Sequence, residues 1–255
     1  MAGLGWSPLA AVPAAVAGTA VMGVAFGWLS VKRSGMFFSM VTLALAQFAY
    51  FALSQSDFTG GDNGLQNVPR GTLLGLDLRN DHTLYYVVLT IVGGCLALLR
   101  RIVDSPFGQS MQLVKGSEHR ALSLGYDVQK IKWKVFVISS TLTAIAGALK
   151  VDAVQFASLA DVNFEMSGDI LMMAVIGGIG SIPGAAIGAV FLMVLQEYFA
   201  SFGGWIQAVQ GLLFAVVVLF FPSGLYGGIS YIGSALRRRF SSTAVISSGE
   251  SRRQA

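Results

Sequence analysis

A chain of 255 residues in which 54% are hydrophobic, only 12% are charged and 31 are Gly is too apolar for an ordinary soluble domain. Its 17 Lys and Arg against 13 Asp and Glu leave a net charge of +4, and a single cysteine excludes an internal disulfide framework. What remains is an all-α, polytopic membrane protein, because helices satisfy their backbone groups internally within hydrocarbon.

Five apolar runs are long enough for a bilayer core of about 30 Å. They are Leu9 to Val31, Met36 to Leu53, Thr83 to Leu99, Val135 to about Ser158, and Trp205 to Phe221. No basic residue precedes Lys32, so the first run lacks the positive flank of a cleaved signal peptide and is expected to be a retained helix despite its small-residue string "AAVPAAVAGTA". The second run carries Ser39, Thr42, Gln47 and Tyr50, with Ser39 and Gln47 on one face and Tyr50 close by. A buried Gln amide needs partners, which either a neighbouring helix or a translocating zwitterion would supply. The following loop, 54–82, contains "TGGDNGLQNVPRG", in which Gly60, Gly61, Asp62, Asn63 and Gly64 suit tight turns. Cys95, inside the third run, is expected to be a small packing residue.

Between the third and fourth runs lies a polar, basic island, "SPFGQSMQLVKGSEHRALSLGYDVQKIKWK". Ser105 can cap a helix with Pro106 in its first turn, and Phe107, Met111 and Val114 then share a face before Gly116 interrupts. In "SEHRALSLGYD", Ser117 can cap, Glu118 suits the positive helix start, Ala121 and Leu122 lie on one side, and Gly125 can stop the helix in a left-handed conformation. Two short helices with exposed apolar stripes fit a groove on a soluble partner, or an interfacial connector lying on anionic lipid.

A sixth region, Ile170 to Ala200, is broken by "GGIGSIPGAAIG" into two helical pieces meeting at Ser181 to Pro183. Ile170 to Gly180 gives only about 16 Å of helix, so that arm either spans obliquely or re-enters. Gly180, Gly184 and Gly188 recur every four residues and allow close helix approach, while Pro183 fits a helix start after a Ser181 cap. A broken helix also offers free backbone groups to a polar ligand. The membrane-embedded body is expected over 1–236, and 237–255 is a polar extension.

Lys and Arg favour cytoplasmic loops. Lys32 and Arg33, the island with its flanking Arg100 and Arg101, and Arg237 to Arg239 fall on one side if the spans alternate, which puts loop 54–82 outside and the C-terminus in the cytoplasm. The broken pair then has both ends outside. His82 and His119 fall on opposite sides, no Gly-rich segment ends as a phosphate-binding loop does, and the clear spans hold no charge near their centres. Lys150 and Asp152, late in the fourth run, are expected to snorkel to the outer interface. These features disfavour an intramembrane enzyme and an ion-coupled carrier, and the energy for transport is expected from another subunit.

Three ordered segments carry a resemblance: "GMFFSMVTLALAQFAYFALSQSDFTGGDNGLQNVPRG", "SPFGQSMQLVKGSEHRALSLGYDVQKIKWKVFVIS" and "MMAVIGGIGSIPGAAIGAVFLMVLQE". From Gly35 to about Gly227 the chain resembles the M-type permease subunits of ABC importers for branched-chain amino acids. The resemblance implies that 100–134 is the cytoplasmic loop coupling to the ATPase, with Glu118, Ala121 and Gly125 at its signature positions. The spacing from Glu118 to Gly125 is one residue longer than in the general ABC-importer signature and similar to the branched-chain variant. It further implies a bacterial inner-membrane location, a second permease subunit, two ABC ATPase subunits that bind ATP and Mg, and an external or periplasmic solute-binding protein. No cofactor, metal or nucleic acid is expected on this chain. Family members usually carry further N-terminal hydrophobic helices where this chain has one. A permease for urea or short amides, and a channel-like or structural membrane protein uncoupled from ATP, remain as alternatives.

Overall fold

The computed structural model describes residues 8–33, 35–56, 64–66, 72–73, 76–77, 80–178, 180–199 and 206–220. It divides into two compact units, Met1–Phe164 and Glu165–Ala255. Gly60, Gly61, Asp62, Asn63 and the tail 237–255 lie outside the described residues.

The first unit contains α1 (Pro8–Val31), α2 (Met36–Ser54), α3 (Asp81–Val103), α4 (Pro106–Gly116), α5 (Glu118–Ser123) and α6 (Val128–Val154). Of these, α1, α2, α3 and α6 are long and apolar enough to cross a membrane. Packing centres on α1 against α6. Gly23 and Gly27, four residues apart, face Ser140 on one side and Phe136 with Trp133 on the other, and a Cβ at either glycine would overlap those side chains. The Trp133 indole Nε1 donates to the Val24 carbonyl at 3.2 Å. Lipid tails are as apolar as the helices, so association relies on such close approach and on interhelical hydrogen bonds rather than on hydrophobic burial.

The fourth run was expected from Val135 to about Ser158, whereas α6 starts seven residues earlier and ends at Val154. Asp127 caps its start, with Oδ1 accepting from the Lys130 backbone N–H at 3.1 Å. Its end is set by Gln155, which is left-handed at φ 58°. The chain then pairs back: β4 (Phe156–Ala157) forms an antiparallel bridge with β1 (Leu65–Gln66), while β2 (Thr72–Leu73) pairs with β3 (Leu76–Asp77). Gly64 sits at φ +63° where any Cβ would strike the Ala157 carbonyl, so a glycine is needed where the loop after α2 meets this segment. A 3-10 turn at Leu159–Val162 follows, and Lys150 Nζ pairs with Asp161 Oδ1 at 2.7 Å rather than merely reaching for the interface. These two-residue bridges do not change an otherwise helical architecture.

The second unit contains α7 (Phe164–Gly177), α8 (Ile182–Phe199) and α9 (Ile206–Phe220). Ile176 and Leu192, both fully buried, form its core with Val217, flanked by Met172, Met173, Leu195 and Phe214. The break between α7 and α8 falls at 178–181, slightly before the expected Ser181 to Pro183, because Gly178 and Gly180 take positive φ angles of 119° and 102° and close the turn. Gly184 and Gly188 are packing glycines as expected, with α7 as the helix they meet; Gly180 is instead a turn glycine with open space around it. At Gly188 a Cβ would overlap the Met173 carbonyl and the Gly177 backbone, and at Gly177 it would overlap the Gly184 carbonyl. α8 is long enough to span, whereas the 14 residues of α7 give only about 21 Å.

Candidate coupling hairpin and polar sites

The island folds as a capped hairpin between two long helices. Arg100 and Arg101 lie in the last turn of α3, where positive charge suits the helix dipole. Ser105 makes the turn into α4: its Oγ donates to the Ile102 carbonyl at 2.6 Å and accepts from the Gly108 N–H at 3.4 Å, with Pro106 at the first helical position. Gly108 is buried at this elbow, where a Cβ would overlap the Val103 and Ile102 carbonyls. Sequence reasoning missed it, although a Gly three residues after a Ser-Pro helix start signals a tight crossing.

Ser117 ends α4 and starts α5. Its extended backbone donates to the Leu113 carbonyl while its Oγ accepts from the Arg120 N–H at 3.3 Å. At the other end Gly125 is left-handed at φ +81°, with its N–H on the Leu122 carbonyl and the Tyr126 N–H on the Ala121 carbonyl. That pair of bonds is a Schellman motif, which satisfies carbonyls a helix end leaves open. Glu118 does more than favour the dipole: Lys132 Nζ of α6 pairs with its Oε1 at 2.6 Å.

The apolar residues divide differently from expectation. Ala121 is fully buried with Val114 and Val128, packed by Leu113 and Ile131, so it holds the hairpin together and does not face a partner. Phe107 and Met111 are half-buried, and Phe107 lines an open groove of about 440 Å³ with Trp133, Lys134, Val137 and Ile138. Of the expected exposed stripe of α4, Val114 is therefore buried and Phe107 and Met111 only half-exposed. Leu122 is exposed as predicted, and Leu124 and Tyr126, which the helical pattern does not single out, are exposed beside it, at 56%, 62% and 45% respectively. The Asp127 carboxyl is held below its ordinary value, chiefly by the Lys130 backbone N–H and next by the Lys130 side chain. The folded value is depressed, so this contribution to stability is present above the ordinary carboxylate range and is lost as pH falls through the folded value.

On α2, Ser39 and Gln47 are exposed and Thr42 and Tyr50 half-buried. The Thr42 hydroxyl donates within its own helix, to the Phe38 and Ser39 carbonyls, so it faces a ligand only as an acceptor. Pro183 lies in the first turn of α8, and the Ser181 hydroxyl, expected to cap that turn, donates back to the Gly178 carbonyl at 3.3 Å.

A polar ladder in the second unit was not foreseen. Asp169 of α7, Gln210 of α9 and Gln196 of α8 converge: Gln210 Nε2 donates to Asp169 Oδ1 at 2.7 Å, and Gln196 Nε2 to Gln210 Oε1 at 3.5 Å. Gln210 is buried. Apolarity marks the broken region as helical only from Ile170, yet α7 begins at Phe164, so Asp169 lies inside a helix. No group of three His, Cys, Asp or Glu suited to a metal occurs among the described residues.

Several helices long and apolar enough to cross a membrane, two of them joined by a capped, ion-paired hairpin of short helices, make the architecture of a multi-pass membrane protein. The sequence comparison places it within that class: the family "branched-chain amino acid transport system / permease component" matches residues 1–222, and the chain belongs to it. It is 28% identical over 250 residues to the high-affinity branched-chain amino acid transport system permease protein LivM of Escherichia coli K12, covering 88% of this chain and 58% of that one. The LivM protein of Salmonella typhimurium LT2 is 27% identical with the same coverage. A probable branched-chain amino acid transport permease protein LivM of Methanocaldococcus jannaschii is 23% identical over 196 residues, 76% of this chain and 56% of that one. The chain thus spans less than two thirds of these relatives' length. No solved structure gives a significant match.

Proposed function

We propose that this chain is a transmembrane permease subunit of an ATP-driven importer that moves branched-chain or similar small amino acids across the bacterial inner membrane. In this reading α4 and α5 seat on a separate ATPase subunit, a second permease completes the pathway, and an external binding protein delivers the solute. ATP and Mg belong to the ATPases.

The observation that supports the reading is the exposure of Leu122, Leu124 and Tyr126 on a hairpin whose other apolar residues are buried or half-buried. A connector resting on lipid would present the apolar faces of both short helices to the acyl region. Here only α5 and its C-terminal turn offer one, on a segment held by two caps, a Schellman turn and an ion pair, and that shape suits a groove in a soluble partner. Leu122→Asp should leave the fold intact, since the side chain is exposed, and should cut both ATPase co-purification and L-leucine uptake by about tenfold or more, as loss of an apolar interface anchor does. Wild-type recovery and uptake would overturn the assignment.

The hairpin and C-terminus are assigned to the cytoplasm. The basic clusters support this side, and Lys32, whose Nζ lies 3.4 Å above the Trp28 ring centre, marks the end of α1 as an interface without choosing the leaflet. In a Cys95→Ser background, Asp62→Cys should react with an impermeant thiol reagent from outside only, and Leu124→Cys from inside only. Reaction of both from one face would refute the orientation.

A further inference from the structure

We propose that Asp169, held by Gln210 and Gln196, is a binding subsite for a primary ammonium group, met by a small amine or amino acid at the outer end of the second unit. The first half of α7, the last turns of α8 and the first half of α9 supply the three residues, so the ladder lies toward one end of that unit. In the orientation argued above, this end faces outward.

The ladder has a direction. An ionised carboxylate only accepts, so Asp169 requires the Gln210 amide nitrogen, which turns the Gln210 oxygen toward Gln196 and requires the Gln196 nitrogen in turn. Both carboxamides are thereby committed to stabilising negative charge on Asp169. Gln210 is 6% exposed, and its remaining polar contact is with Met172 Sδ at 3.7 Å, so its amide is fixed in place. Only Oδ1 of Asp169 is engaged by this bond, which leaves Oδ2 to accept.

Among the described residues no positive side chain compensates this charge. The described helices α7, α8 and α9 carry Glu165, Asp169 and Glu197 and no Lys, Arg or His, and no ion pair among the described residues involves Asp169. A half-buried carboxylate in an apolar bundle calls for a counter-charge. A primary ammonium supplies that charge together with a hydrogen for Oδ2. The subsite rests on the permease reading for its physiological ligand, but amine binding itself does not.

The test uses the assembled transporter in proteoliposomes and follows reaction of Asp169 with a hydrophobic carbodiimide by peptide mass spectrometry. 3-Methylbutylamine, which has the ammonium and branched chain of leucine but no carboxylate, should slow labelling of Asp169; 4-methylpentanoate, which has the carboxylate and no amine, should not. Equal labelling with either compound, or no labelling in the absence of both, overturns the subsite. In parallel, Asp169→Asn keeps an acceptor for Gln210 but removes the charge, and should raise the KM of L-leucine uptake about tenfold at unchanged membrane abundance and ATPase recovery, with Asp169→Glu restoring part of it. Wild-type kinetics in Asp169→Asn would assign the ladder to helix packing alone and also overturn the subsite. Absence of L-leucine uptake by the wild-type complex would count against the permease reading, whereas the amine protection result would still decide the subsite.

Discussion

Gly188→Leu should strip the second unit of its stability. A Cβ there overlaps the Met173 carbonyl and the Gly177 backbone, and backbone atoms cannot swing aside as a flexible side chain can. The only relief is to separate α7 from α8, which opens the packing around the fully buried Ile176 and Leu192. Overpacking alone costs about 1–3 kcal/mol, and loss of one buried aliphatic contact set adds a comparable amount, so a loss of about 3 kcal/mol or more is expected. The measurement is thermal unfolding of the purified chain in detergent, beside Gly147→Ala. Gly147 lies in α6 with nothing within 4 Å of the place a methyl would take, and that change should be neutral or stabilising by up to about 1 kcal/mol. Equal unfolding temperatures in the two variants would mean that α7 and α8 do not cross at these glycines.

Gly125→Val should uncouple transport while leaving the spans in place. The left-handed conformation costs a residue with a Cβ about 1–2 kcal/mol, and a β-branched residue more. The cheapest escape is to give up the Schellman bonds from Gly125 and Tyr126, which frays α5 and displaces Leu122, Leu124 and Tyr126 together. Glu118→Lys attacks the same helix from its other end, placing a second ammonium against Lys132 where an ion pair stood. The pair is partly exposed and worth at most about 1 kcal/mol, so this variant should be the milder. Near-complete loss of ATP-dependent uptake in Gly125→Val, partial loss in Glu118→Lys and normal membrane abundance of both are expected. If the hairpin merely rested on anionic lipid, uptake would tolerate both changes and Glu118→Lys would bind headgroups more firmly. That outcome would refute the coupling role.

The long helices were legible because hydropathy over twenty residues averages out local detail: α1, α2 and α3 begin and end within a few residues of expectation. Short-range signals also held where one side chain acts on its own backbone, as at Ser105, Ser117 and Gly125. What escaped depends on partners distant in sequence. Six residues of α5 make under two turns, too few for a pattern to say whether Ala121 or Leu122 faces inward, and Val128 of α6 settles it. Gly177 gave no sign of its role without Gly184 and Gly188 across the turn, and Gly23 with Gly27 needed the Trp133 face of α6. Asp169 escaped because apolarity does not mark where the backbone of α7 begins, and its partner Gln210 lies 41 residues away.

Helix α6 runs from Val128 to Val154 without a proline, a rod of about 40 Å at ~1.5 Å per residue. One end carries Lys132 and Val128, tied to α5; the other carries Lys150, tied to the 3-10 turn, and runs directly into the bridge with Leu65–Gln66. A rod with no joint cannot absorb a push by bending locally, so it acts as a lever: a tilt of about 5° about its midpoint swings the two ends in opposite directions by about 2 Å each. Because α1 is locked along it at Gly23, Val24 and Gly27, the pair must swing as one beam.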